Sequence, residues 1–290
     1  PMLFWLINLS WSIFGVSRWA GLIPIACGSL ACIYLTSFLG KRIFSNEHNS
    51  ERTYLLMIGS LPFMIYGTLV MFDFMLTAFI LCALIFLHCF YTEGRLRYAI
   101  LMGLFLGLSV LTKGPVAYLY FLPVALLRPF WGKSFSVAKN WYWGISLSVF
   151  VSIIPVLFWL IPVVQASDNN FAFWLIWNQT AGRVTGNFSA SHVRPFWFYL
   201  PLIPLFFIPW IIFPSFWKGL SIVKEQFKTN EGLRFLFSWA VPVILAFSLI
   251  SGKQPHYLVP LVPAIVLFIA YRLKSFSVKS LGQFSSIILI

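Results

Sequence analysis

A few charged residues interrupt a sequence that is otherwise strongly apolar. Lys113 lies in LTKGP, Lys253 lies in SGKQPHY, and Asp73 is the only carboxylate between residues 53 and 92. A lysine is a compact positive charge that can bind an anion such as phosphate, beside backbone that a neighbouring glycine leaves accessible. The alternatives are an interfacial lysine that extends to the headgroups and an aspartate that caps a helix.

Four further residues could contact an anion or a sugar. Arg183, in NQTAGRVTGNF, offers a fork of donors for phosphate, although an ion pair that orders its loop is the alternative. His256 and Tyr257 could hydrogen-bond a phosphate or sugar, while a tyrosine at a membrane boundary is also ordinary. His192 has no second ligand at metal-binding spacing, so a metal there is weakly indicated.

The composition is that of an integral membrane protein. Of the 290 residues, 60% are hydrophobic and 9% are charged, whereas globular domains carry about 25% charged residues. The solidly apolar runs exclude an outer-membrane barrel, whose strands alternate. Cys27, Cys32, Cys82 and Cys89 lie in apolar runs without metal-ligand spacing. Motifs for nucleotide binding, a nucleophile elbow and HExxH are absent from the sequence.

The apolar runs predict an all-α polytopic membrane protein, a bundle of roughly ten transmembrane helices. The opening run, 1–14, is short and aromatic, and we expect it to lie along the interface. The predicted spans are 19–39, 54–72, 74–92, 98–112, 115–128, 141–164, 199–217, 235–250 and 256–271, with a last one that starts near 281.

The basic residues orient these spans. When loops alternate between sides, one side collects 15 of the 20 lysines and arginines, which makes that side cytoplasmic. The net charge of +13 therefore indicates orientation in a membrane and not nucleic-acid binding. The five basic residues on the external side are Arg18, Lys113, Arg183, Arg194 and Lys253.

Asp73 and the long loop 165–198, which contains Asp168, fall on the same external face as the two lysines. Because Gly114 and Pro115 follow Lys113, we expect that helix to break at the outer surface. Polar chemistry is thus predicted at membrane level on the outside, with cations suited to phosphate and aromatics suited to a lipid chain or sugar ring.

Five stretches in this order resemble bacterial membrane glycosyltransferases of the GT-C class, in the group of the lipid A aminoarabinose transferase and the protein O-mannosyltransferase-like enzymes. The stretches span nearly the whole chain, and the second and third of them contain Asp73 and Lys113. They are PMLFWLINLSWSIFGVSRWA, YGTLVMFDFMLTAF, GLSVLTKGPVAYLYFLP, HVRPFWFYLPLIPLFFIPW and FSLISGKQPHYLVPLVPAI.

The resemblance implies a single GT-C-like domain over 1–290 in the bacterial inner membrane, with its active site on the periplasmic side. Such enzymes transfer a sugar from a polyprenyl-phosphate donor to a lipid, glycan or protein acceptor. It also implies that Lys113, Arg183, Lys253 and Tyr257 surround the donor phosphate, with Asp73 near the site and His192 and His256 as contacts of acceptor or donor.

The family's proposed catalytic carboxylate precedes the segment matched at Pro1, so we expect a fragment that lacks the first helix and the catalytic first external loop. The aminoarabinose enzymes carry a histidine shortly before the arginine matched by Arg183, and WNQTAGRV lacks it. The expected basic residue near RWAGLIP is also missing or shifted to Arg18. Lipid A modification is therefore a narrower expectation than the GT-C class, no cofactor is firmly implied, and a divalent metal stays an open alternative.

Two other classes of function fit the sequence less well. A transporter or lipid flippase would favour charges near the bilayer midplane and internal symmetry, whereas these charges gather at one surface. A purely structural membrane subunit would explain neither Lys113 nor Lys253.

Overall fold

The computed structural model describes residues 1–44, 50–132, 138–168, 171, 174, 177, 193–218 and 220–272. The described part of the chain is built of helices. They are α1 (Met2–Phe14), α2 (Arg18–Phe44), α3 (Ser50–Ile58), α4 (Leu61–Tyr66), α5 (Asp73–Glu93), α6 (Leu96–Lys113), α7 (Ala117–Leu126), α8 (Arg128–Trp131), α9 (Ala138–Ala166), α10 (Leu220–Gln226), α11 (Glu231–Leu249) and α12 (Val262–Arg272).

Six helical stretches of the described chain are long and apolar enough to cross a membrane. They confirm six of the predicted spans, namely those that began at residues 19, 74, 98, 141, 235 and 256. The sixth stretch starts with a 3-10 turn, Pro255–Leu261, that continues directly into α12. The predicted span 115–128 is the shorter helix α7, and the span expected near 281 lies outside the described residues.

The predicted continuous span 54–72 is wrong, because the chain breaks there into α3 and α4. Ser60 has an extended backbone and Pro62 lies at the start of α4. Proline lacks a backbone N–H and is tolerated in the first turn of a helix but not deep within one. The apolar run is therefore divided, and residues 67–72 lead into α5 without forming a further helical turn.

The predicted span 199–217 is also wrong. Four prolines within residues 201–214 divide it into short helical segments, because each removes a backbone donor and disfavours helix in the residue before it. Isolated prolines such as Pro24 and Pro242 remain inside long helices. The short segments are Phe196–Tyr199, Ile203–Phe206, Trp210–Ile212 and Pro214–Lys218.

Helix α5 lies at the centre of the bundle, packed against α2, α6 and α7. Helix α6 packs closely on α9, where Gly103 and Gly107 face the α9 backbone. Helix α1 packs on α2 and α6, and its place in the membrane interface stays a prediction. Because α5, α6, α7 and α11 alternate in direction, the start of α5 and the ends of α6 and α11 lie at one end of the bundle.

Candidate functional site

An ion pair at this end of the bundle joins two of the predicted residues. Asp73 is the first residue of α5 and Lys113 is the last residue of α6, and Lys113 Nζ lies 2.5 Å from Asp73 Oδ1. The side chains are 2% and 17% exposed respectively. A carboxylate at a helix start and an ammonium at a helix end each suit the helix dipole. The fold therefore holds a paired charge at the edge of an apolar bundle.

Helix α6 ends immediately after Lys113 because Gly114 takes a backbone φ of 84°, which an L-residue with a side chain rarely adopts. Tyr118 and the rest of α7 then lead back into the bundle. The predicted break at Gly114 and Pro115 is confirmed, and it leaves the lysine at the corner of a helical hairpin.

Tyr257 completes this group of residues. Lys113 Nζ lies 4.9 Å from the centroid of the Tyr257 ring, a distance at which an ammonium is attracted to an aromatic face. The Tyr257 carbonyl accepts a hydrogen bond of 2.7 Å from the Tyr120 hydroxyl. His256 packs edge-on against the Tyr257 ring, with centroids 4.9 Å apart, and is close enough to interact electrostatically with Lys113 and Asp73.

Lys253 is more deeply buried than Lys113. Its residue is 3% exposed, and Nζ donates to the Ile250 carbonyl at 2.5 Å and to the Arg194 carbonyl at 3.0 Å. Burial lowers the pKa of the Lys253 ammonium from its ordinary value. An ammonium has three N–H donors, and the backbone carbonyls take two of those of Lys253.

The turn that carries Lys253 is joined to the segment that starts at Val193. An isolated antiparallel bridge pairs Val193 with Gly252, and the Arg194 amide donates to the Ser251 carbonyl at 3.2 Å. The Tyr199 hydroxyl donates to the Gln254 carbonyl at 3.2 Å. Side chains and backbone thus fix residues 250–257 at several points.

Sequence reasoning missed the two tyrosines that support this turn. Tyr120 and Tyr199 are both fully buried, and the hydroxyl of each donates a hydrogen bond to a backbone carbonyl of the turn. A buried tyrosine usually needs such an acceptor. Their position within apolar runs was the available signal, but it does not say which carbonyl they reach.

The predicted residues Arg183 and His192 lie outside the described residues. Within the described part of the chain, no cluster of three or more histidine, cysteine or acidic side chains could hold a metal ion. Asp73 supplies one carboxylate at this site, whereas a divalent cation such as Mg²⁺ or Ca²⁺ takes several oxygen ligands.

An apolar groove of about 280 Å³ begins one residue after Tyr257. It lies between α11, the segment 255–268 and the short helical segment near Ile203, and it presents no polar surface. Its lining includes Leu258, Leu261, Phe268, Ile244, Phe237 and Phe206. A linear apolar chain with a polar head next to Lys113 would fit this arrangement.

The family model for dolichyl-phosphate-mannose-protein mannosyltransferases matches residues 1–159, more than half of the chain. The chain belongs to this family. The match includes both members of the Asp73–Lys113 pair.

Curated relatives are bacterial arabinosyl transferases. The chain is 28% identical over 276 residues to the undecaprenyl phosphate-alpha-4-amino-4-deoxy-L-arabinose arabinosyl transferase of Photorhabdus laumondii, covering 92% of this chain and 48% of that protein. A Pseudomonas fluorescens protein of the same description is 31% identical over 182 residues, which cover 62% of this chain and 31% of its own length. The chain spans about half the length of the curated relatives it matches most fully.

The crystal structure of ArnT from Cupriavidus metallidurans bound to undecaprenyl phosphate has the same fold. It aligns with a TM-score of 0.75 at 22% identity, over 98% of this chain and 51% of that one. The apo structure of the same protein aligns with a TM-score of 0.73. The expected GT-C-like fold is therefore confirmed.

Proposed function

We propose that this chain forms part of a membrane glycosyltransferase that takes a sugar from a polyprenyl-phosphate donor. The acceptor is a lipid, glycan or protein at the external, periplasmic face of the inner membrane. The observation that carries this function is the Lys113 ammonium, held at the edge of an apolar bundle between the Asp73 carboxylate and the Tyr257 ring. Membership of the family supports the same reaction class.

Lys113 supplies the positive charge that the leaving group requires. When the bond between the anomeric carbon and the phosphate oxygen breaks, its electron pair stays on the phosphate. A fixed cation next to that oxygen stabilises the charge as it develops, more than it stabilises the intact donor. The acceptor hydroxyl forms the new bond to the anomeric carbon and gives up its proton to a base.

Asp73 is assigned to positioning Lys113. Its carboxylate is nearly fully buried and binds the Lys113 ammonium directly. We assign Tyr257 to the donor phosphate as well, together with Arg183. The Lys253 ammonium, which was predicted to bind this phosphate, already donates to two backbone carbonyls and is not assigned to the phosphate. His256 and His192 remain candidates for contacts with the acceptor or the donor sugar.

The apolar groove that begins at Leu258 supports a polyprenyl donor. A donor whose phosphate lies next to Lys113 would place its first isoprene units near Tyr257, and the next residue, Leu258, lines the groove between α11 and α12. A lipid chain that enters this groove leaves the apolar interior of the bilayer for the apolar lining of the protein. Relatives described as acting with undecaprenyl phosphate make this carrier the first donor lipid to test.

The test is transfer of a radiolabelled sugar from undecaprenyl-phosphate donors in membranes that contain the complete protein. Pentosyl and hexosyl donors should both be assayed, because the described residues do not select between them. We expect one donor to be consumed, and we expect Lys113→Met to lower the rate by about 10²-fold or more, the cost of removing one preorganised donor from a developing charge.

Lys41→Met is the matched control, because Lys41 is an exposed lysine in the last turn of α2 at the opposite end of the bundle. Its activity should equal that of the unchanged protein. If no donor in the panel is consumed by correctly inserted protein, the transferase function is wrong, and transport of the lipid becomes the function to test.

A further inference from the structure

The backbone from which Tyr257 reaches Lys113 is held from three sides. Tyr120 bonds the Tyr257 carbonyl from α7, and Tyr199 bonds the Gln254 carbonyl from the segment before Ile203. The third support is Lys253, whose ammonium joins the end of α11 to the Arg194 carbonyl. The supports come from α7 and from two points of the segment 193–199, so the turn has little freedom to shift.

Lys253 occupies the position where these parts meet. The carbonyls of Ile250 and Arg194 are 56 residues apart in sequence, and one ammonium donates to both, at 2.5 and 3.0 Å. Without that ammonium, the isolated Val193–Gly252 bridge, which includes the hydrogen bond from the Arg194 amide to the Ser251 carbonyl, would be the remaining described main-chain link between the two segments. A single bridge is a short and weak pairing.

We propose that Lys253 is a positioning residue for the transfer reaction. Its ammonium fastens residues 193–194 to the turn 250–253 and thereby fixes the backbone that presents Tyr257 to Lys113. This inference rests on the proposed function for its effect on catalysis, but the fastening itself is a property of the fold. It differs from a phosphate-binding role because the ammonium acts on the backbone and not on the substrate.

A disulfide can replace the ammonium and so separate the two roles. Val193 and Gly252 are directly opposed in the antiparallel bridge, and opposed residues have the separation that a disulfide spans. Val193→Cys with Gly252→Cys would therefore join the same two segments covalently without restoring a positive charge. The double-cysteine pair is placed in both the Lys253 and the Lys253→Met backgrounds.

We expect Lys253→Met to lower kcat/KM by about 10²-fold, because small displacements of a reacting site are costly. Forming the disulfide in that background should restore most of the activity, and reducing it should remove the activity again. The cysteine pair with Lys253 intact should stay active in both redox states, and the pair with Lys113→Met should stay inactive in both. A disulfide that forms fully but does not restore the Lys253→Met variant overturns the positioning role.

A second measurement needs no transfer activity. The rate of disulfide formation between the two cysteines reports how often the segments meet, and we expect it to be several-fold slower with Lys253→Met than with Lys253 or Lys253→Arg. Equal rates in all three would refute the fastening. If the rates differ but the unchanged protein transfers no sugar, the fastening stands and the proposed reaction fails. Lys253→Gln replaces the methionine variant if that one does not insert into the membrane.

Discussion

At the scale of the residue, the Asp73–Lys113 pair combines a structural and a functional role. Removing one partner of a buried ion pair leaves an uncompensated charge, which costs about 3 to 5 kcal/mol when the pair is fully buried. Since Lys113 is 17% exposed, the lower end of that range applies. Removing both charges together leaves no such penalty, so stability and activity should respond differently.

We therefore expect Asp73→Asn and Lys113→Met each to lower the thermal unfolding midpoint in detergent, and the double variant to recover most of that loss. Transfer activity should stay lost in the double variant, because the cation is still missing. The midpoint is measured by fluorescence and the activity with the labelled donor. Additive losses of stability would show that the two side chains do not interact, whereas restored activity would show that Lys113 is not needed for the reaction.

The pair also shows how far sequence reasoning reached at this scale. The alternation of spans placed Asp73 and Lys113 on one face, but it could not give the 2.5 Å contact between side chains 40 residues apart. Lys253 was predicted from its external position, while its two backbone acceptors were not. Those carbonyls lie in loops whose path depends on tertiary packing, which neither hydropathy nor charge records.

At the scale of the element, the site depends on how α6 is held against α9. A Cβ on Gly107 would lie 2.4 Å from Pro155 Cγ and 2.7 Å from the Ser152 carbonyl oxygen. A Cβ on Gly103 would lie 2.6 Å from the Ser148 carbonyl oxygen. Since backbone and a proline ring cannot move aside cheaply, the two helices would have to separate. Lys113 at the end of α6 would then shift with its helix.

We expect Gly107→Ala to destabilise the protein by about 1 to 3 kcal/mol, as overpacking does elsewhere, and to lower transfer activity. The control is Gly28→Ala in α2, where the nearest atom to the added Cβ would be 3.5 Å away, an ordinary contact. That change should be neutral or slightly stabilising, because alanine favours helix over glycine. Equal effects at both glycines, measured as unfolding midpoints, would contradict close packing between α6 and α9.

Long helices could be predicted from the sequence, and broken ones could not. Apolar composition marks a segment as membrane-embedded, but it does not distinguish α5 from residues 199–217, because the two segments are equally apolar. What separates them is the spacing of proline: one residue such as Pro24 can be accommodated within a long helix, whereas four within residues 201–214 leave only short helical segments. The same reasoning explains the division of 54–72 at Ser60 and Pro62.

At the scale of the whole molecule, the distribution of charge fixes which end of the bundle faces outward. In the predicted alternation of loops, fifteen of the 20 basic residues fall on the side opposite Lys113, and cytoplasmic loops are the ones that accumulate lysine and arginine. Helix α6 connects the two sides. Its 18 residues rise about 27 Å, close to the thickness of the hydrocarbon core, so its ends serve as markers for the two faces.

Pro115 and Arg95 flank α6 at its two ends, and both are exposed. In a background without Cys27, Cys32, Cys82 and Cys89, we expect a membrane-impermeant maleimide to label Pro115→Cys in cells with an intact inner membrane. Arg95→Cys should be labelled only after permeabilisation. The reverse pattern would place Lys113 and Tyr257 on the cytoplasmic side and refute transfer at the external face. The expected pattern would place the ammonium where a donor lipid in the outer leaflet presents its phosphate, which is the arrangement the proposed reaction requires.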